Sequence, residues 1–148
     1  LVPGYEAPVY VCWSKTNRSA LIRIPRIMPD SGEAARAELR CPDPSCNPYL
    51  AFAAMLKIGL KGLRENLNPP KPVEEDVYEF DEEKLKKHYI ETLPSTLGEA
   101  TNELKKSSIV KELLGPLFPK FVAGRKLEWD TYRLQVHDWE RDRYMEKY

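Results

Sequence analysis

The stretch RAELRCPDPSCNPYLAFAAML, residues 36–56, changes its hydrophobic period partway along. Arg36 to Cys41 alternates as an extended segment does, whereas Tyr49, Phe52, Ala53, Leu56, Leu60 and Leu63 recur at spacings of three and four. Pro42, Pro44 and Pro48 stand between the two patterns. A proline offers no amide to a strand ladder, so sheet structure ends here. Pro48 suits the first turn of a helix, with Ser45 or Asn47 as its cap. A chain with this boundary is expected to be α+β: a few antiparallel strands in the amino-terminal third, then a mainly helical remainder.

The same reading extends in both directions. PVYVCW (8–13) and SALIRIP (19–25) are β-branched and aromatic runs separated by a polar segment of loop length, which predicts two adjacent strands joined as a hairpin. The helix that begins at Pro48 should run for roughly five turns with its apolar stripe buried. NLNPPKPVEEDVY (66–78) reads as a proline-rich acidic connector. Helices are expected over 81–91, over Thr96 to Lys106 with Thr96 and Glu99 as a capping box, and over 108–114, stopped by Gly115-Pro116. A final helix would carry Trp129, Tyr132, Val136 and Trp139 as one aromatic seam. The expected organisation is one unit over 1–148, with strands and loops in 1–45 and a helical part in 46–148.

At 148 residues and 42% hydrophobic content the chain can bury one ordinary core. Lys+Arg and Asp+Glu each total 23, so no net field favours nucleic acid or an anionic membrane, and a basic site must be local. Cys12, Cys41 and Cys46 form no CxxC pair and are odd in number, which argues against a zinc site or a disulfide framework and for a reducing, cytoplasmic setting. Cys41 and Cys46 read as small buried hydrophobes, and His88 and His137 as solvated surface groups. No run approaches the roughly 20 apolar residues of a membrane span, and no signal-peptide pattern is present. The chain opens mid-pattern on LVPGYEAPVYVCW, which suggests a piece excised from something larger.

In an extended segment alternate side chains share a face, so Arg36, Glu38 and Arg40 are expected to project together. As a surface charge ladder that trio would contribute about 0–1 kcal/mol. As a site, the arginines would meet phosphate or carboxylate oxygens, while Glu38 held a hard cation bridging the same anion. Arg18 and Arg23, flanking the second strand, add cations with no evident partner nearby.

LVPGYEAPVYVCWSKTNRSALIRIP followed by RAELRCPDPSCNPYLAFAAML resembles the carboxy-terminal part of the catalytic domain of type I glutamine synthetase, the prokaryotic ligase that makes glutamine from glutamate, ammonia and ATP. The likeness continues through LPSTLGEA and EWDTYRLQVHDWERDRY to the end of the chain. The resemblance implies that Glu6 belongs to a flap that closes over L-glutamate, shields γ-glutamyl phosphate from water and helps deprotonate ammonium. It implies that Arg18 contacts the transferring phosphate, that Arg23 and Arg36 contact the nucleotide, and that Glu38 is a ligand of a divalent ion, Mg2+ or Mn2+. Arg40 would read the substrate and stabilise charge at the reacting carboxylate. Phosphoryl transfer spreads negative charge over oxygens, so fixed cations and alignment are what a protein supplies.

The family's substrate-clamping arginine immediately before LVPGYE, its remaining metal ligands, its ammonium-site aspartate and its amino-terminal domain would all lie upstream of Leu1. On this reading the chain alone carries no biosynthetic activity. Residues 26–35 lack a lysine where some relatives carry a basic residue before the RxExR strand, and Tyr78 stands where some bacterial relatives carry an adenylylated tyrosine. The resemblance further implies a cytoplasmic homo-oligomer, a dodecamer of two hexameric rings. The carboxy-terminal tail, with Tyr144, Met145 and Tyr148, would anchor ring to ring. Two alternatives stay open: a related γ-glutamyl-amine ligase such as a γ-glutamylpolyamine synthetase, and a non-catalytic split-subunit or assembly module.

Overall fold

A computed structural model describes residues 7–25 and 36–145. Glu6 and Tyr148 lie outside them. The chain divides into two compact units, Leu1–Ser95 and Thr96–Tyr148.

In the first unit, β1 (Tyr10–Ser14), β2 (Ala20–Arg23) and β3 (Glu38–Leu39) form a sheet in the order β1-β2-β3. The α+β reading holds, but the sheet is mixed. β2 and β3 are antiparallel, pairing Ile22 with Leu39 and Arg23 with Glu38. β1 and β2 are parallel, pairing Tyr10 with Ala20 and Ser14 with Arg23, so the expected hairpin is replaced by a parallel return. Parallel neighbours ordinarily need a dozen or more connecting residues. Here residues 15–19 suffice: returning along β1 and stepping across to β2 spans about 14 Å, and six extended links reach about 20 Å.

That return is held by the proline-rich segment, which is no free connector. Trp13 Nε1 donates to the Pro70 carbonyl at 2.7 Å, and Val73 N donates to the Trp13 carbonyl at 2.9 Å. Ser19, buried, accepts from Val77 N at 3.0 Å. Asp76 caps a 3-10 turn over Val77–Glu79. The turn delivers Val77, fully buried, and Phe80 to a core of Val9, Tyr10, Cys12, Ala20 and Ile90. β1 alternates buried and less buried positions, as a strand with one covered face does.

The next helix, α2 (Glu82–Lys87), is shorter than the expected 81–91. Tyr89 takes a positive φ of 55° and ends it, which lets Ile90 turn into the core. Residues 91–93 then pair with the free edge of β1, through Val11 N to the Glu91 carbonyl and Leu93 N to the Val9 carbonyl, both 2.8 Å.

The proline boundary behaves as the sequence predicts. Asn47 caps α1 (Pro48–Arg64), its side chain accepting from Tyr49 N at 3.0 Å and Leu50 N at 3.3 Å. The helix runs to the expected length, but burial of its stripe is a misreading. No residue of α1 is buried, and Tyr49, Phe52, Leu56 and Leu63 are all more than three-fifths exposed. The residues that satisfy the core are those of the 73–93 segment instead.

The second unit holds α3 (Leu97–Lys106), α4 (Ser108–Leu114), α5 (Phe118–Tyr132) and α6 (Asp138–Tyr144). Thr96 Oγ1 accepts from Glu99 N, and Gly115 ends α4 at φ +49°, as its position predicts. α3 packs on α5 where Gly98 meets Trp129. A Cβ on Gly98 would stand 2.6 Å from the indole, so this approach requires glycine. The expected single aromatic helix is two helices, because His137 N bonds the Glu140 carboxylate and starts α6 afresh. The seam is therefore split: Trp129 is half-buried, while Tyr132, Val136 and Trp139 are exposed. Among the described residues no helix is long and apolar enough to cross a membrane.

Candidate functional site

The cations cluster where β2 and β3 meet. Because Arg23 and Glu38 are register partners, their side chains share one face, and Arg23 Nη1 donates to Glu38 Oε2 at 3.1 Å. Arg36 Nε lies 3.7 Å from the other carboxylate oxygen. Two guanidiniums flank Glu38 as expected, but the closer is Arg23 from the neighbouring strand, where Arg40 was anticipated. Arg23 was expected to lack a partner. Cross-strand register supplies it, and register is invisible in residues 36–40 alone.

Arg40 is tied through its backbone, its N donating to the Leu21 carbonyl at 2.9 Å. Its Nη1 is buried, as is Arg23 Nε, and neither finds a hydrogen-bond partner among the described residues. A buried unpaired donor costs about 1–3 kcal/mol, more on a charged group. Arg23 Nε belongs to the residue paired with Glu38, and each of the two orphaned donors is one that an anion's oxygen would complete. The side chains of the pairs around Glu38 are a quarter to a half exposed, so as ion pairs they contribute about 0–1 kcal/mol each. Their geometry matters more than their stability.

Arg18 is not part of this cluster. It stands at the opposite end of β2, in the 15–19 return, exposed and without a hydrogen bond or ion pair among the described residues. The return itself is densely bonded. The Glu74 carboxylate accepts from Ser14 Oγ at 2.7 Å, Thr16 Oγ1 at 2.8 Å, Lys15 N at 3.1 Å and Thr16 N at 3.3 Å. These bonds, that from Ser14 foremost, bring its pKa down to about 2. No local pattern in the sequence marks Glu74, because its partners lie some sixty residues away.

The oxygens of an anion such as phosphate would satisfy the orphaned arginine donors. A divalent ion fits less well: Glu38 is a single carboxylate engaged by two arginines, and among the described residues no three His, Cys, Asp or Glu side chains converge. An ion at Glu38 would need ligands from outside these residues.

The remaining candidates are quieter. Tyr78 is half-buried, its ring edge-on to Tyr10 at 6.0 Å. Burial raises the thiol pKa of Cys12 and Cys41, whereas Cys46 is exposed and so departs from the buried hydrophobe expected. An open groove of about 420 Å³ between α3 and α5, lined by Glu99, Asn102, Lys105, Lys126 and Trp129, contains none of the predicted site residues.

Comparison with known proteins agrees with the motif reading. The family model described as "Glutamine synthetase, catalytic domain" matches residues 1–144. The chain is 49% identical over 149 residues to glutamine synthetase of Clostridium saccharobutylicum, covering 100% of this chain and 33% of that protein. It is 47% identical to the Thermus thermophilus glutamine synthetase, with the same coverage. To that of Thermotoga maritima it is 50% identical over 146 residues, covering 98% of this chain and 33% of the relative. A solved structure described as "Apo GmaS without ligand" superposes with a TM-score of 0.73 at 29% identity, over 95% of this chain and 31% of that one. The chain thus spans about one third of the length of the curated relatives it matches. With the motif strings, the family model and near half identity all in agreement, the chain belongs to the glutamine synthetase catalytic-domain family.

Proposed function

We propose that these residues are the carboxy-terminal part of a glutamine synthetase and supply its phosphate-binding arginines for the ATP-dependent ligation of ammonia to L-glutamate through γ-glutamyl phosphate. The observation that carries this reading is that Arg23, paired with Glu38, and Arg40 each bury a donor, Nε and Nη1, that has no partner among the described residues. Fixed cations aimed at oxygens are what phosphoryl transfer requires, since the protein does little covalent chemistry in it.

In this reading Arg23 and Arg36 bind nucleotide phosphates, Arg18 meets the transferring phosphate, and Arg40 holds the reacting carboxylate of glutamate. Glu38 orients the arginines on either side of it and lends one ligand to a divalent ion whose other ligands come from the rest of the protein. Glu6 closes the site against water and takes a proton from ammonium. The exposed Trp139, Tyr144 and Met145 of the last helix and its end suit an anchoring role between the two hexameric rings of a cytoplasmic dodecamer.

Substitution in a complete ligase containing residues 1–148 tests this directly. Arg40→Ala and Arg23→Ala should each lower kcat/KM by roughly 10²–10³. Arg23→Ala should act chiefly through ATP and Arg40→Ala chiefly through glutamate. If both variants retained activity within twofold, the site reading would fail.

A further inference from the structure

We infer that Glu74 is a positioning residue for Arg18: its carboxylate fixes the 15–19 return, and so sets where that arginine can meet a phosphate. This rests on the reading of Arg18 given above.

The return is shorter than parallel neighbours ordinarily use, and the bonds that hold it converge on Glu74. Glu74 Oε2 takes three donors, Ser14 Oγ, Thr16 N and Thr16 Oγ1, while Oε1 takes Lys15 N. Ser14 is fully buried, and its hydroxyl oxygen also accepts from Thr16 N at 3.2 Å and Asn17 N at 2.9 Å. Asn17 Oδ1 accepts from both the amide and the hydroxyl of Ser19, and Asn17 Nδ2 donates to the Glu75 carbonyl. Residues on both sides of Arg18 are thus pinned to the 74–77 segment, while its own side chain stays exposed.

The chemistry specifies a carboxylate. All four groups aimed at Glu74 are donors, so each needs an acceptor. A glutamine could keep the three bonds at one oxygen, but its amide would then face the Lys15 N–H, donor against donor. An alanine would lose all four. The same four bonds, that from Ser14 foremost, lower the carboxyl's pKa to about 2, as donors to a carboxylate do. Small displacements of a charge-stabilising group are costly in rate, on the order of 10²-fold per Å, so a loosened return should be legible in turnover.

The test is a cycle of variants in a complete ligase containing residues 1–148. Glu74→Ala should lower kcat about tenfold and Glu74→Gln about threefold, with KM for glutamate within twofold of the parent. In an Arg18→Ala background both effects should shrink below twofold, because the group being positioned is gone. Thr16→Val, which removes one donor and keeps the carboxylate, provides a milder variant should Glu74→Ala not fold. Equal losses with and without Arg18, or a lowered Tm with unchanged kcat, would overturn the proposal. An Arg18→Ala single variant with parental kinetics would overturn both this inference and the role of Arg18 beneath it. A failure confined to Glu74 would leave that role standing.

Discussion

The two ends of β2 are built on opposite terms. At its start, the short polar side chains of the 15–19 return are saturated: Ser14, Thr16, Asn17 and Ser19 all find partners, and Glu74 collects four donors, while the Arg18 side chain stays free for a phosphate. At its finish, Arg23 and the neighbouring Arg40 each bury a donor that meets nothing among the described residues. Saturation signals structure that stands by itself. Orphaned charged donors signal structure that waits for something, because leaving them unmet costs free energy that a folded protein ordinarily recovers. The same contrast recurs on a larger scale. The sheet and the 73–93 segment enclose a core around Val9, Ala20 and Val77, whereas α1 exposes the stripe that its sequence period produces.

The largest effect that could break this comparison concerns Glu38. In a complete ligase, Glu38→Ala should cost at least about 10² in activity and weaken divalent-ion dependence, since it removes both the counter-charge of two arginines and a metal ligand. Stability should fall by no more than about 1 kcal/mol, because the side chains of the ion pairs are a quarter to a half exposed. A loss of activity that tracked an equally large fall in Tm, with ion dependence unchanged, would make Glu38 a merely structural charge.

A second prediction sharpens the contrast between core and stripe. In the 148-residue chain, Val77→Ala should destabilise by about 2 kcal/mol, since it empties a fully buried position. Phe52→Ala should stay within about 0.5 kcal/mol, its ring being two-thirds exposed. Denaturant unfolding distinguishes the two, and comparable costs would mean that α1 is covered.

The smallest expected effect is one of pH. Glu74 is held to about 2 against an ordinary 4.5, so its folded form is the more acidic. Its contribution is complete above pH 4.5 and is lost as the pH falls from about 4.5 towards 2. Glu75, depressed by its hydrogen bond to Lys84, changes in the same direction, and Glu74→Gln separates the two. Amide protection factors at Lys15 and Thr16 should fall in that window, and Glu74→Gln should abolish the dependence. Unchanged protection down to pH 2 would deny Glu74 its hold on the return.

What the sequence disclosed, and what it withheld, follows the range of the interactions. The Asn47 cap, the Thr96 start and the Gly115 stop are set by neighbours within four residues, and the chain shows them plainly. The direction of β1 against β2 depends on Pro70, Val73 and Glu74, which no local pattern connects to residue 14. The arginines and Glu38 were legible as a motif, but the pairing of Arg23 with Glu38 is a matter of register between strands. The early end of α2 turns on one positive φ at Tyr89, a residue type that gives no warning of it.

The central claim, that Arg23 Nε and Arg40 Nη1 are donors held for an anion, is tested most directly by a crystal structure of a complete ligase containing residues 1–148, with a non-hydrolysable ATP analogue and glutamate bound. Phosphate or carboxylate oxygens should stand within about 3.2 Å of both atoms, with the Arg23–Glu38 pair kept and the Glu74 bonds unchanged. Both donors bonded instead to the protein's own groups, with nucleotide and glutamate bound elsewhere, would contradict it.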